Sequence, residues 1–129
     1  STPSTNKVQA VIDLAHKQLG KPYVWGAEGP NSFDCSGLIY YVYKNAAGIT
    51  LPRTSSAQYS AGVAVSRSNL KAGDLIFSST DGTGNITHVA IYVGDGQMIH
   101  APRNGKNVEK VSINNSYWNK AYVGARRVL

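Results

Sequence analysis

The chain has 129 residues, of which 42% are hydrophobic and 16% are charged. This length suits a single domain, and the apolar content is sufficient for a core, which excludes two full domains and a disordered chain. Thirteen Lys and Arg against seven Asp and Glu give a formal net charge of +6, so a polyanionic partner has to be considered.

The basic excess is concentrated in the last third of the sequence. From Gly96 onward there are six basic residues and one acid, Glu109. Neither a recognition helix nor a series of aromatic residues accompanies these charges, so nucleic acid is excluded as the expected partner. An anionic cell-wall polymer and a merely basic, soluble surface both remain open. The longest apolar run, residues 38–43, is far shorter than the roughly 20 residues that cross a bilayer.

The beginning of the chain differs in composition from the rest. Residues 1–6 are Ser, Thr, Pro and Asn only, which is typical of a linker, and we expect one folded domain over residues 7–129. Since the sequence lacks an initiator Met and a signal sequence, we expect a fragment or a mature form of an exported protein. Apolar residues at helical spacing over 8–19 predict a helix, with Ser4 or Thr5 as its N-cap.

Two further helices are predicted after a Gly-rich loop. A second apolar stripe predicts a helix that begins at Asp34 or Cys35 and ends before Gly48. Cys35 therefore lies in the first turn of this helix. The capping-box spacing of Ser55 and Gln58 predicts a short third helix.

The hydrophobic period then changes to two, which predicts strands. These strands are expected at 74–77, 88–93, 97–101, 108–113 and 122–128. Gly94-Asp95-Gly96 is typical of a hairpin turn between the second and the third of them. Because the helices come first and the strands second, the sequence predicts an α+β architecture.

Cys35 is the single cysteine, so the chain cannot form an internal disulfide or a site with several thiolates. A thiol is a strong nucleophile as thiolate, and a helix N-terminus with a nearby imidazolium lowers its pKa from about 8.5 to between roughly 3.5 and 7.5. The small neighbours Ser36 and Gly37 would let a substrate approach the sulfur. Cys35 is therefore a candidate nucleophile, with buried core filling as the alternative.

The predicted hairpin brings two histidines together. A three-residue loop pairs Ala90 with His100 and places His88 and His100 on one face as diagonal neighbours, whereas a two-residue loop would put them on opposite faces. If that face abuts the N-terminus of the second helix, Cys35 and the histidines form acyl-transfer machinery. The alternatives are two solvent-facing polar residues and a zinc site with one Cys and two His ligands.

Six sequence segments, in this order, carry a resemblance to a known family. They are Lys21-Pro22-Tyr23-Val24-Trp25-Gly26, Phe33-Asp34-Cys35-Ser36-Gly37-Leu38, Leu51-Pro52-Arg53-Thr54-Ser55, Leu70-Lys71-Ala72-Gly73-Asp74-Leu75-Ile76-Phe77, His88-Val89-Ala90-Ile91-Tyr92-Val93-Gly94 and Met98-Ile99-His100-Ala101. Together they resemble the NlpC/P60 family of bacterial cell-wall cysteine peptidases. The resemblance implies a papain-like α+β fold, with the nucleophile's helix packed on a small antiparallel sheet. It also implies hydrolysis of peptidoglycan stem peptides, commonly between γ-linked D-glutamate and the following diamino acid.

The resemblance also implies roles for individual residues. Cys35 resembles the nucleophile, His88 the base and His100 the third polar residue of the triad. Tyr23 resembles the residue that polarises the scissile carbonyl together with the backbone N–H of Cys35. Covering of the core by a loop aromatic is the structural alternative for Tyr23.

Four further residues are candidates for substrate binding. Asp34 and Ser36 resemble residues of the pocket for the front of the stem peptide, and Arg53 and Ser55 are candidates for the free carboxylate of D-glutamate. Helix capping by Asp34 and Ser55 and a surface position of Arg53 are the alternatives. Because a carboxylate beside the nucleophile opposes thiolate formation, we expect Asp34 to bind a substrate cation, the free α-amino group of L-Ala-γ-D-Glu.

The leading hypothesis is a secreted or cell-wall-associated cysteine endopeptidase. We expect it to act as a monomer on peptidoglycan stem peptides without a metal or a cofactor. An N-acetylmuramoyl-L-alanine amidase with the same triad is one alternative. A non-catalytic cell-wall-binding module, with the cluster as a relic, is the other, although the intact Cys35, His88, His100 and Tyr23 argue against it.

Overall fold

A computed structural model describes residues 3–129, with side chains from residue 7 onward. In chain order the elements are α1 (Pro3–Lys17), α2 (Cys35–Ala47), α3 (Ser55–Gln58), β1 (Val63–Val65), a 3₁₀ helix (Arg67–Asn69), β2 (Leu75–Ser78), β3 (His88–Gly94), β4 (Gln97–His100), β5 (Glu109–Ser112), α4 (Ser116–Ala121) and β6 (Tyr122–Arg127). The strands form one antiparallel sheet in the order β1-β6-β2-β3-β4-β5. This arrangement confirms the predicted α+β class. In residues 3–129 no helix is both long and apolar enough to cross a bilayer.

Helix α2 packs between α1 and the sheet. Its apolar side chains, Leu38 and Val42 among them, are fully buried and share one core with Val11 of α1 and Val89 of β3. Full burial of an aliphatic side chain contributes roughly 1.5 to 3 kcal/mol. This core holds the first turn of α2 against the beginning of β3.

The N-terminus of α2 lies where the sequence predicts it, because Asp34 caps the helix. The backbone of Asp34 is extended and its carboxylate accepts the N–H of Gly37 at 2.6 Å, as an N-cap residue does. Gly37 has no space for a side chain, since a Cβ there would collide with the carbonyl oxygen of Ala27. The loop before α2 therefore packs directly on the first turn of the helix.

The β3–β4 hairpin has the predicted register but a different turn. Tyr92 pairs with Met98, as a three-residue loop requires, whereas Gly94 pairs with Gln97 and leaves a two-residue loop, Asp95-Gly96. Both loop residues have positive φ values, 55° and 72°, which is the type I′ geometry that Asp-Gly favours. A bulge between Tyr92 and Gly94 absorbs the extra residue. The shorter loop therefore does not send the histidines to opposite faces.

Helix α1 begins earlier than predicted. It starts at Pro3, and proline is favoured at a first helical position because its missing N–H has no partner there. Ser4 and Thr5 consequently lie inside the first turn, so the prediction that either is the N-cap was wrong. Ser1 and Thr2 of the predicted linker lie outside the described residues, and the domain boundary at residue 7 stays a prediction.

Short elements account for the other differences. Helix α3 is capped by Thr54, whose hydroxyl accepts the N–H of Ala57 at 3.3 Å, so Ser55 is the first helical residue and its predicted role as the cap was wrong. Strand β1, the 3₁₀ helix and α4 were not predicted. They span three, three and six residues, which is too few for a hydrophobic period to be recognised.

Candidate active site

Cys35 lies where the first turn of α2 meets the start of β3. The backbone N–H groups of Val89 in β3, of Ser36 and of Cys35 itself are close enough to the sulfur to lower the pKa of the thiol. The residue is partly exposed and lines a cleft of about 400 Å³. A substrate carbonyl in this cleft could therefore reach both the sulfur and the N–H groups of the helix terminus.

His88 and His100 are hydrogen-bonded to each other. Nε2 of His88 and Nδ1 of His100 are 2.8 Å apart, and both residues are buried. His88 is the first residue of β3 and directly precedes Val89, whose backbone N–H is close enough to Cys35 to lower the pKa of its thiol. The structure thus pairs His88 with His100, as the predicted register requires, and places Cys35 beside the residue that follows His88.

The face of the sheet that carries the histidines does not abut the N-terminus of α2, which was the condition set for a cluster with Cys35. Trp118 of α4 covers this face, stacked on His88 at 5.3 Å and in an edge arrangement with His100 at 5.2 Å between ring centroids. Val89 and Ile91 face the helices instead, because side chains alternate along a strand. Since His88 is the first residue of β3, the thiol of Cys35 would approach its imidazole around the end of the strand and not across the sheet face.

A carboxylate extends the histidine pair. Nε2 of His100 is 2.9 Å from Oε2 of Glu109, which lies directly opposite His100 in the β4–β5 ladder. Glu109 was not among the site residues predicted from the sequence. The signal that could have found it is the register of the last predicted strands, but the connection over residues 101–108 has no turn motif that would fix this register.

Burial sets the charges of the thiol and of both imidazoles. The pKa of Cys35 is raised, first by burial and then by the carboxylate of Asp34, despite the N–H groups that lower it. Burial and the neighbouring His100 lower the pKa of His88 to about 3. Burial also lowers the pKa of His100, against the opposing effect of Glu109. Burial thus favours the neutral forms of the thiol and of both imidazoles, and the carboxylate of Asp34 opposes thiolate formation, as expected from its position beside the nucleophile.

Tyr23 lies within electrostatic range of the thiol. The pKa of its phenol is raised by burial, then by the charges of Cys35 and Asp34, while Arg53 lowers it. Backbone contacts fix its position, since its N–H donates to the carbonyl of Lys106 at 3.0 Å and it forms a β-bridge with Phe33. The loop that carries Tyr23 is thus held beside Cys35 from two sides.

Asp34 and Arg53 form an ion pair at the cleft. The two terminal nitrogens of Arg53 donate to the two oxygens of Asp34 at 3.2 and 3.0 Å, and one of them also donates to the hydroxyl of Ser36 at 2.9 Å. Nε of Arg53 donates to Glu28 at 2.8 Å. Every nitrogen of the guanidinium therefore has a partner. Because one cation faces two carboxylates, the cluster carries an excess of one negative charge.

The cleft brings together most of the predicted substrate-binding residues. Asp34, Ser36, Arg53 and Ser55 line it with Cys35, and they are joined by Trp25, Gly26, Thr54 and Thr87. Trp25 is 80% exposed and was not predicted as a site residue. Across the part of the chain that the structure describes, no three His, Cys, Asp or Glu side chains are grouped to hold a metal ion.

The whole chain resembles known proteins and structures. The Murein DD-endopeptidase MepH of Escherichia coli K12 is 47% identical over 95% of this chain and 48% of its own length. The Gamma-D-glutamyl-L-lysine dipeptidyl-peptidase of Bacillus cereus is also 47% identical, over 92% of this chain and 36% of its own. The chain therefore spans about half or less of the length of these curated relatives.

Solved structures give the same result. The crystal structure of an NlpC/P60 family protein from Bacillus cereus superimposes with a TM-score of 0.89 at 44% identity, over 95% of this chain and 40% of that one. The NlpC/P60 domain of the peptidoglycan hydrolase SagA matches with a TM-score of 0.81 at 39% identity, over 92% and 97% of the two chains. These likenesses confirm the predicted papain-like fold. The sequence profile of the NlpC/P60 family matches residues 20–127, and the chain belongs to this family.

Proposed function

We propose that this chain is a cysteine peptidase domain that cleaves peptidoglycan stem peptides between γ-linked D-glutamate and the following diamino acid. The observation that carries this proposal is that Cys35, at an open cleft, lies beside Val89, the residue that follows His88 in β3, and that His88 is hydrogen-bonded to His100. The name of the Bacillus cereus relative, a γ-D-glutamyl-L-lysine dipeptidyl-peptidase, supports cleavage at this bond, and that of the Escherichia coli relative, a murein DD-endopeptidase, supports peptidoglycan as the substrate.

The neutral resting pair defines the first chemical step. Nε2 of His88 is bound to His100, so Nδ1 is the nitrogen that takes the thiol proton as the sulfur of Cys35 attacks the γ-carbonyl. The backbone N–H of Cys35 and the phenol of Tyr23 stabilise the resulting oxyanion. His88 then returns the proton to the leaving amine, and water hydrolyses the thioester with His88 as base.

The acidic excess at the cleft supports recognition of a cationic substrate end. Asp34 is 5% exposed and is held by Arg53 and by the N–H of Gly37, so its carboxylate is rigidly placed. We assign the free α-amino group of L-Ala-γ-D-Glu to Asp34 and the hydroxyl of Ser36. This assignment makes stems that are already detached from the glycan the preferred substrates.

The ion pairs of Arg53 restrict how it can bind the carboxylate of D-glutamate. Since each guanidinium nitrogen has a partner, a substrate carboxylate must displace one. The side chain of Glu28 is 51% exposed, against 8% for that of Asp34, so Glu28 is the partner that leaves most readily. In the proposed complex the D-glutamate carboxylate replaces Glu28 at Nε of Arg53, and Ser55 at the start of α3 adds its hydroxyl.

The place of action follows from the substrate. We propose that the domain acts as a monomer at the cell wall outside the cytoplasm, where peptidoglycan lies. Arg103 and Lys106 form no ion pair with any described side chain, so the basic C-terminal third can attract an anionic wall polymer.

A second candidate is cleavage of the D,D-bond in peptide cross-links, which is favoured by the name of the Escherichia coli relative, a murein DD-endopeptidase. The test is digestion of three defined substrates, namely a free tripeptide stem, a muramoyl-linked stem and a cross-linked dimer, with the products identified by mass spectrometry. We expect release of L-Ala-γ-D-Glu from the free stem. Cleavage of the cross-link alone would establish the second candidate, and release of muramic acid alone would indicate an amidase.

A further inference from the structure

The hydrogen-bonded chain behind the proposed base ends in a group that can only accept. An ionised carboxylate offers lone pairs and no proton. Oε2 of Glu109 is 2.9 Å from Nε2 of His100, and Nδ1 of His100 is 2.8 Å from Nε2 of His88. Three groups from three consecutive strands are therefore joined by two short hydrogen bonds.

The acceptor at the end of the chain dictates every proton position before it. Because Glu109 accepts, Nε2 of His100 must carry a proton, and in a neutral ring this leaves Nδ1 of His100 as a lone pair. That lone pair accepts from Nε2 of His88, which must then be the protonated nitrogen of His88. Nδ1 of His88 is left as the unprotonated nitrogen, and it has no hydrogen-bond partner within residues 3–129.

The surroundings of His100 contain no other described group that could fix this direction. His100 is fully buried, with His88 on one side, Glu109 on the other and the apolar edge of Trp118 against its ring. The polar side chains of Thr80, Arg103, Lys106 and Tyr117 line the adjoining groove with Glu109 and Trp118, and among the described residues only His88 and Glu109 are hydrogen-bonded to the ring of His100. Without Glu109, either tautomer of His100 would be accommodated.

The opposite direction would disable the base. If Nδ1 of His100 carried the proton, it would donate to Nε2 of His88, and the only remaining proton of a neutral His88 would lie on Nδ1, the nitrogen that takes the thiol proton in the proposed mechanism. Such an imidazole cannot take the proton of Cys35. We therefore propose that Glu109 is a positioning residue that sets the proton direction through His100 and keeps Nδ1 of His88 free to act as the base. This inference rests on the proposed function of His88.

The first test reads the tautomers directly and does not depend on activity. Nitrogen-15 NMR of the imidazoles at neutral pH should show both His88 and His100 protonated at Nε2 in the wild type. Glu109→Ala should populate the Nδ1-protonated form of His100, and Glu109→Gln should retain the wild-type form in larger part because its amide oxygen still accepts. A wild-type His100 that carries its proton on Nδ1, or on both nitrogens, would overturn the proposal.

The second test is kinetic. Loss of the outer hydrogen-bond partner of a metal-bound histidine typically costs about 10-fold to 100-fold in activity, and we expect a similar fall in kcat for Glu109→Ala, with KM unchanged. Glu109→Gln should recover part of the loss. Asp13→Asn makes the same acid-to-amide change as Glu109→Gln, but on the exposed face of α1, and should have no effect on kcat. An unchanged kcat together with unchanged tautomers in Glu109→Ala would overturn the proposal. Altered tautomers with unchanged kcat would support the proton direction and refute instead the proposed role of His88 as base.

Discussion

Substitution of Asp34 by Asn separates helix capping from the two roles that depend on the negative charge of this residue, namely the ion pair with Arg53 and the proposed binding of the substrate amine. The amide oxygen can still accept the N–H of Gly37 and cap α2, whereas the negative charge that faces Arg53 and the cleft is removed. We therefore expect a folded variant with three measurable changes, in stability, in thiol reactivity and in substrate preference.

The magnitudes follow from the contacts of Asp34. A hydrogen bond to a charged group is worth about 1.5 to 3 kcal/mol when buried, and the side chain of Arg53 is 32% exposed and keeps Glu28 as a partner. After a reduction for solvent screening, the free energy of unfolding should fall by about 1 to 2 kcal/mol. Loss of the charge-assisted bond to the substrate amine should lower kcat/KM on free stems roughly 10-fold to 100-fold. Because Asp34 raises the pKa of Cys35, the variant thiol should be alkylated faster at a given pH near neutrality.

The decisive assay compares L-Ala-γ-D-Glu-diamino-acid peptides with a free and an acetylated amine. The wild type should prefer the free amine, and Asp34→Asn should lose this preference by losing rate on the free peptide only. Asp74→Asn is the matched control, because Asp74 is also buried and paired in two places to an arginine, Arg127, away from the cleft. It should lower stability without changing substrate preference. Equal wild-type rates on both peptides would refute the amine pocket and leave Asp34 as a helix cap only.

Three further predictions concern the proposed triad. Cys35→Ala should abolish hydrolysis with the fold intact, since covalent catalysis requires the sulfur, and chelators should leave the wild type active; loss with EDTA and recovery with zinc would support the metal site. His88→Ala should be nearly as inactive as Cys35→Ala, whereas His100→Ala should retain more activity. His100→Gln should recover part of the activity that His100→Ala loses, because an amide can still hydrogen-bond the ring of His88. Equal, full inactivation by both substitutions at position 100 would contradict an orienting role. The free energy of unfolding should fall as the pH drops from 6.5 toward about 3, because His88 is protonated in the unfolded chain but not in the folded chain. The expected slope is about 1.4 kcal/mol per pH unit. Denaturant titrations in which His88→Ala has the same pH slope as the wild type would show that this reasoning is wrong.

The sequence predicted the site where local rules decide the structure. The apolar stripe and the cap residue placed Cys35 at the start of α2, and the alternation along two strands placed His88 and His100 on one face. The hairpin shows why this succeeded despite a wrong loop length. The Asp-Gly pair favours a two-residue turn. The bulge at Gly94 absorbs one residue, so that Tyr92 still pairs with Met98 and the buried side chains alternate as predicted.

The remaining features depend on contacts between distant segments. Trp118 lies on α4, which is too short to be recognised from periodicity, so the cover over the histidines could not be anticipated. Glu109 reaches His100 only through the register of β4 with β5. The sequence places Cys35 and Asp34 side by side at the start of α2, whereas the burial that contributes most to the raised pKa of Cys35 is a property of the fold.

In the proposed mechanism, hydrolysis of the γ-D-glutamyl bond proceeds through the sulfur of Cys35. Because the chain has one cysteine, the extent of thiol alkylation can be read from the intact protein mass without ambiguity. The measurement is partial alkylation with iodoacetamide, followed by parallel determination of the modified fraction and of the rate of L-Ala-γ-D-Glu release. The rate should fall in direct proportion to the modified fraction and reach zero at one group per chain, and an excess of the dipeptide should slow the modification. Continued release of the dipeptide by fully alkylated protein would contradict the claim.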